Sequence, residues 1–84
     1  MKIVYTKHAL NKFTILKERG VKVTKQRVDK AIIEPEDIDF ESDRPKVIVS
    51  KSLDKQYVIR VVYIKESDII RVITFYPAEK GRYY

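Results

Sequence analysis

Apolar positions follow two periods along this chain, and the change falls near Pro35. Ile3-Val4-Tyr5 reads as a short first strand or an extended lead-in. Thr6 then predicts the N-cap of a helix running through Arg19, with Tyr5 and Leu10 at the spacing of a hydrophobic staple. Ala9, Leu10, Phe13 and Leu16 recur at helical intervals and predict one buried stripe. Gly20 predicts a left-handed C-terminal cap. Thr24 predicts a second N-cap, with Val23 and Val28 again at staple spacing and Val28, Ala31 and Ile32 as the apolar face. Pro35 ends that helix, because the residue before a proline is pushed out of helical geometry.

Beyond Pro35 the period becomes two. Ile38 and Phe40 alternate with Asp37, Asp39 and Glu41, as in a short edge strand. Ser42-Asp43-Arg44-Pro45 predicts a turn, Lys46–Ser52 a strand, and Leu53-Asp54-Lys55 a second turn. Two longer runs follow, Gln56–Lys65 and Asp68–Pro77, both rich in the β-branched and aromatic residues that strands favour. The expected fold is α+β: one domain over 1–84, with two N-terminal helices on one face of a twisted antiparallel sheet of about four strands.

Each of the last two strands carries an arginine at its middle, Arg60 and Arg71. A buried guanidinium without a partner is costly. Either each arginine meets a carboxylate, for instance around Asp37, Asp39 and Glu41, or its face of the sheet is open to an anion. With Glu66-Ser67 as a two-residue hairpin loop, Arg60 lies opposite Ile73 and Arg71 opposite Val62. Val58, Arg60, Val62 and Ile64 then share a face with Ile69, Arg71, Ile73 and Phe75. Tyr57, Ile59, Val61, Tyr63, Ile70, Val72, Thr74 and Tyr76 turn to the helices. The alternative puts the arginines at the sheet margin and exposes the tyrosines, since a one-residue slip reassigns a whole strand.

Composition narrows the chemistry. The 84 residues carry 18 lysines and arginines against 12 acids, a formal +6. In a small domain that balance points first to nucleic acid and next to an acidic protein partner. There is no cysteine, which removes a disulfide scaffold, a thiolate nucleophile and a Cys-based zinc site. The single histidine, His8, makes no multi-His metal centre, so neither a metal nor another cofactor is expected. No small-molecule ligand is expected either. No signal peptide and no membrane-length apolar run is present, giving the expectation of a cytoplasmic protein without membrane contact. A charged content of 36% without Cys or Trp leans towards a thermophilic source.

Metal-independent RNA cleavage needs the ribose 2′-hydroxyl deprotonated, the leaving oxygen protonated and the developing phosphorane charge stabilised. Arginines and lysines supply the last. His8, a tyrosine or a lysine of lowered pKa supplies the proton transfers. His8 would sit in the first helical turn, where the helix dipole favours phosphate. Phe75 and Tyr83 are candidates for base stacking. Lys12, Lys46, Lys51 and Lys80 are candidates for phosphate contacts.

His8-Ala9 opening the first helix, Arg19-Gly20-Val21 closing it, and the strands Arg60-Val61-Val62-Tyr63 and Arg71-Val72-Ile73-Thr74-Phe75-Tyr76-Pro77 together resemble a family of small prokaryotic domains with a His-Ala-x-x-Arg helix. That family is similar to the RelE/ParE and BrnT toxin superfamily. The resemblance implies a RelE-like fold and a toxin of a toxin–antitoxin system: RelE-like members are ribosome-dependent mRNA endoribonucleases, BrnT-like members are ribonucleases, and ParE-like members instead poison gyrase. It also implies a cognate acidic antitoxin as partner. By position it points to His8, Arg60, Arg71, Arg82 and Tyr83. Lys12 stands where the motif has arginine, and it keeps the charge without the bidentate fork. Two other readings use the same residues: a non-catalytic nucleic-acid-binding domain, and a basic module that binds an acidic protein.

Overall fold

The structure is a computed structural model and describes residues 2–81. Its elements are β1 (Lys2–Tyr5), α1 (Lys7–Glu18), α2 (Lys25–Ile33), β2 (Asp37–Asp39), β3 (Val47–Ser52), β4 (Tyr57–Glu66) and β5 (Ile69–Glu79). Local chemistry sets the helix ends as the sequence predicts. The Thr6 and Thr24 hydroxyls accept from Ala9 N and Arg27 N, and Gly20 sits at φ 80° after the first helix. The Tyr5–Leu10 staple does not form. Leu10 is 47% exposed, and the Tyr5 ring packs on Phe13 instead, at 5.8 Å between centroids.

The sheet has five strands in the order β1-β5-β4-β3-β2. It is mixed rather than antiparallel. β2 to β5 form the expected antiparallel meander, while β1 joins its far side parallel to β5, with Lys2 beside Ile69 and Tyr5 beside Val72. Both helices cover one face. Ala9, Leu16, Val28, Ala31 and Ile32 pack there on Val49, Ile59, Val61, Val72 and Phe75. Tyr5 also ties β1 to α2 by donating its hydroxyl to Asp29, and burial followed by this bond pushes the phenol well above its ordinary pKa.

Two details of the β4–β5 hairpin decide what the other face presents. The loop is Ser67-Asp68, because Glu66 pairs with Ile69; Ser67 takes a positive φ of 55°. Farther along, Val62 pairs with Thr74 and Tyr63 with Val72, so Ile73 is the extra residue of a β-bulge. The bulge is held by the start of α1. Thr6 N donates to Val72 O, and the Thr6 hydroxyl donates to Ile73 O at 3.2 Å. Past the bulge, alternation is inverted relative to the sequence expectation. Phe75 enters the core, fully buried, with its ring 4.5 Å from Phe13. Thr74 and Tyr76 turn away from the helices, opposite Val62 and Arg60 on β4.

Candidate nucleic-acid interface

Arg60 and Arg71 project from the same face of the sheet, the one the helices leave uncovered. The register carries both there: Arg60 pairs with Tyr76 and with Ser50, and Arg71 with Ile64 and with Val4. Lys2, one strand out, shares this side with Ile69. Ile48, Val58, Val62, Ile64 and Ala78 make an apolar floor, and Asp37 and Asp39 lie beside Ser50 and Ile48 at the β2 end.

The two arginines sit differently on this floor. Arg60, on the central strand, is only 8% exposed. Its guanidinium lies between the neighbouring strands, donating from Nε to the Tyr76 hydroxyl at 3.1 Å and from an Nη to the Ser50 hydroxyl at 3.3 Å. Its charge also reaches Asp39. That carboxyl is pulled down to about 2, first by hydrogen bonds from Ser42 and Glu41 and to a smaller extent by Arg60. Arg71 is solvent-exposed and pairs with Glu66 at 2.7 Å, both side chains being about half accessible. The uniform picture of two guanidiniums standing open on the sheet is therefore corrected: one is inlaid, the other held at the rim by a carboxylate of its own hairpin.

Of the remaining candidates among the described residues, His8, Lys12 and Lys51 lie away from this face. His8 lies in the helical layer, exposed in the first turn of α1, where it lines a shallow hollow with Lys7, Leu10 and Asn11. Lys12 is on the same helix, half-buried. Lys51 pairs with Ile59 on the helix-covered side and donates its ammonium to Glu34 O at 2.8 Å, closing the C-terminal end of α2. Lys46 directly precedes β3, its N–H bonded to Asp43 O. Lys80 follows β5, with its N–H on Gln56 O. Phe75, expected to stack bases, is interior because of the bulge. Arg82 and Tyr83 lie outside the described residues. Sequence reasoning missed Ser50 and Tyr76. A serine opposite an arginine in the adjacent strand would have been readable had the β3–β4 register been assigned, but Tyr76 reaches Arg60 only through the bulge.

A separate cleft of about 520 Å³ opens at the helix-side end of the sheet, between the α1–α2 connection and the β3–β4 turn, lined by Val21, Lys22, Arg27, Leu53, Tyr57 and Pro77. Arg27 is already committed there, donating to Leu53 O at 3.0 Å. Among the described residues no group of three His, Asp or Glu side chains is placed to hold a metal ion, and no helix is long and apolar enough to cross a membrane.

Comparison with protein-family models, with curated proteins and with solved structures finds no match to this chain. The likeness to the RelE/ParE and BrnT superfamily thus rests on the short motifs alone.

Proposed function

We propose that this chain is a toxin-antitoxin-type toxin that engages RNA on the helix-free face of its sheet and acts as an mRNA endoribonuclease. The observation that carries this reading is the co-facial placement of Arg60 and Arg71, with Lys2 on the same side, in a chain of net charge +6. Arg71 and Lys2 are the accessible phosphate contacts: the Arg71 guanidinium donates to a carboxylate oxygen here and can donate its planar fork to phosphate oxygens, and the Lys2 ammonium adds a point charge. Arg60 contributes positive potential from beneath and orients Tyr76, whose ring and hydroxyl border the floor. Both arginines supply charge stabilisation to a transferring phosphoryl group. His8 belongs to the opposite layer, so proton transfer on this face falls to a tyrosine or lysine.

The Arg71–Glu66 pair supports the companion reading of control by an acidic antitoxin. A carboxylate already occupies Arg71 from within the chain, so an acidic segment laid on the apolar floor replaces a contact of the same kind. Such a segment competes with RNA for the one face.

Inducible expression in a bacterial host tests the proposal, with growth and transcript integrity as readouts. Native protein is expected to arrest growth and break RNA. Arg71→Glu is expected to relieve both while staying folded, and Lys51→Ala, on the other face, to relieve neither. Arrest without RNA breakage, together with steeply salt-dependent RNA binding in vitro, would assign the face to binding alone. Full growth with intact transcripts counts against the toxin reading.

A further inference from the structure

The charge of this protein is segregated. Residues 34–43 hold six of its twelve acids and no lysine or arginine, leaving the other 74 residues with 18 bases against six acids. The acidic stretch is the strand β2 with its flanks, and β2 is a terminal strand of the sheet. The opposite terminal strand is β1, which reads Lys2-Ile3-Val4-Tyr5 and runs into Lys7. Among the described residues each has a strand neighbour on one side only, leaving a row of backbone donors and acceptors on the other. The exposed large apolar side chains sit at these same ends. Ile33, Ile38 and Phe40 are 68%, 43% and 59% exposed at the β2 end, and Leu10 lies just past β1.

We infer that copies of this chain associate head to tail, the acidic β2 edge of one pairing with the basic β1 edge of the next so that the sheet continues from molecule to molecule. Charge complementarity selects this arrangement. An antiparallel β2–β2 contact centred on Ile38 sets Asp37 of one copy against Asp39 of the other, repulsive across a strand pair, and a β1–β1 contact joins two basic strands without a complementary charge. Direction and facing agree as well. β1 runs parallel to β5, and β2 runs opposite to both, so a neighbour with its helices on the same side presents β1 antiparallel to β2. In that arrangement the helix-free side brings Asp37 and Asp39 towards Lys2. The helix side brings Ile38 and Phe40 towards Ile3 and the exposed Leu10. Because the two contacting surfaces differ, the operation does not close at two and gives rings or open arrays. The strands are short, so the association is weak and belongs to high protein concentration. It uses none of the arginines of the RNA reading and shares Lys2 with it.

The test is sedimentation velocity of nuclease-treated protein, which removes RNA as a bridge between basic surfaces. At low ionic strength the weight-average sedimentation coefficient is expected to rise with concentration past the dimer value. In about 0.5 M salt, where screening shortens to a few Å, it is expected to fall back towards the monomer. Two edge variants sharpen it: Asp37→Lys with Phe40→Ser, and Lys2→Ser with Leu10→Gln. Each alone is expected to remain monomeric. Their mixture retains one intact β2 edge and one intact β1 edge, and is expected to form a dimer that grows no further. A native protein that stays monomeric to about 1 mM at low salt overturns the inference and leaves the acidic edge to a separate basic partner. So does a native protein that stops at a closed dimer, or an association that survives in both variants. The native concentration series decides the matter even where a variant fails to fold.

Discussion

Arg60 and Arg71 occupy matching positions in the amino-acid pattern, each at the centre of an apolar run, and end in opposite environments. Arg60 stands on β4, with β3 and β5 on either side, and is nearly closed off from solvent while donating to Ser50 and Tyr76. Arg71 stands on β5 near the hairpin end, beside the four-residue β1, and pairs with Glu66 at the surface. Position across the sheet, rather than position along the strand, sets what a charged side chain costs and what it can do. An inlaid guanidinium is part of the scaffold. A rim guanidinium is available to a ligand.

The difference predicts a graded series of stabilities. Arg60→Ala should be the most damaging, at about 2–4 kcal/mol, because it strips the buried stem and leaves the Ser50 and Tyr76 hydroxyls without their donor. In a chain of this size each kcal/mol lowers the thermal midpoint by roughly 4–8 °C, so calorimetry resolves it easily. An Arg60→Ala midpoint within a degree of native would mean the side chain is not integrated as described. Tyr76→Phe removes a single acceptor and should cost about 1 kcal/mol, read from the denaturant midpoint at unchanged slope. Arg71→Ala should cost about 0.5 kcal/mol or less, as an exposed ion pair does, and the loss should vanish at high salt. A large loss at Arg71 would erase the contrast between the two residues.

Acid sensitivity gives the finest test. The Asp39 carboxyl lies at about 2 in the folded protein against an ordinary 3.8. Its contribution is therefore fully present above about pH 4 and is lost as the pH falls through 2. Asp39→Asn should flatten the stability profile over that window and leave it unchanged at neutral pH apart from a constant offset. An acid limb identical to the native one would assign the sensitivity elsewhere.

Much of this architecture was legible because it is encoded locally. Thr6, Thr24 and Gly20 declare the helix ends through their own backbone chemistry, and Pro35 stops α2 by sterics. The shared face of the two arginines was legible for a less direct reason. Taking Glu66-Ser67 as the loop instead of Ser67-Asp68 shifts the register by two residues, and a shift of two preserves which side each residue faces. The bulge at Ile73 had no such protection. No glycine marks it, and its holder, Thr6, lies 67 residues away, so Phe75 and Tyr76 were exchanged between faces. The parallel strand was equally hidden, because four residues carry no signal naming a partner at the other end of the chain.

That pairing of first strand with last has a consequence for how the molecule is made. Residues leaving a ribosome in order would present β1 and α1 long before β5 exists, and Phe13 needs Phe75 to pack against. The amino-terminal segment must wait, its apolar stripe wet, until β5 has been made. The final strand then closes the longest loop in the fold, a slow kind of closure. A nascent chain stalled before Ile69 should be cut by protease throughout its first helix, while release of a few more residues should confer resistance all at once.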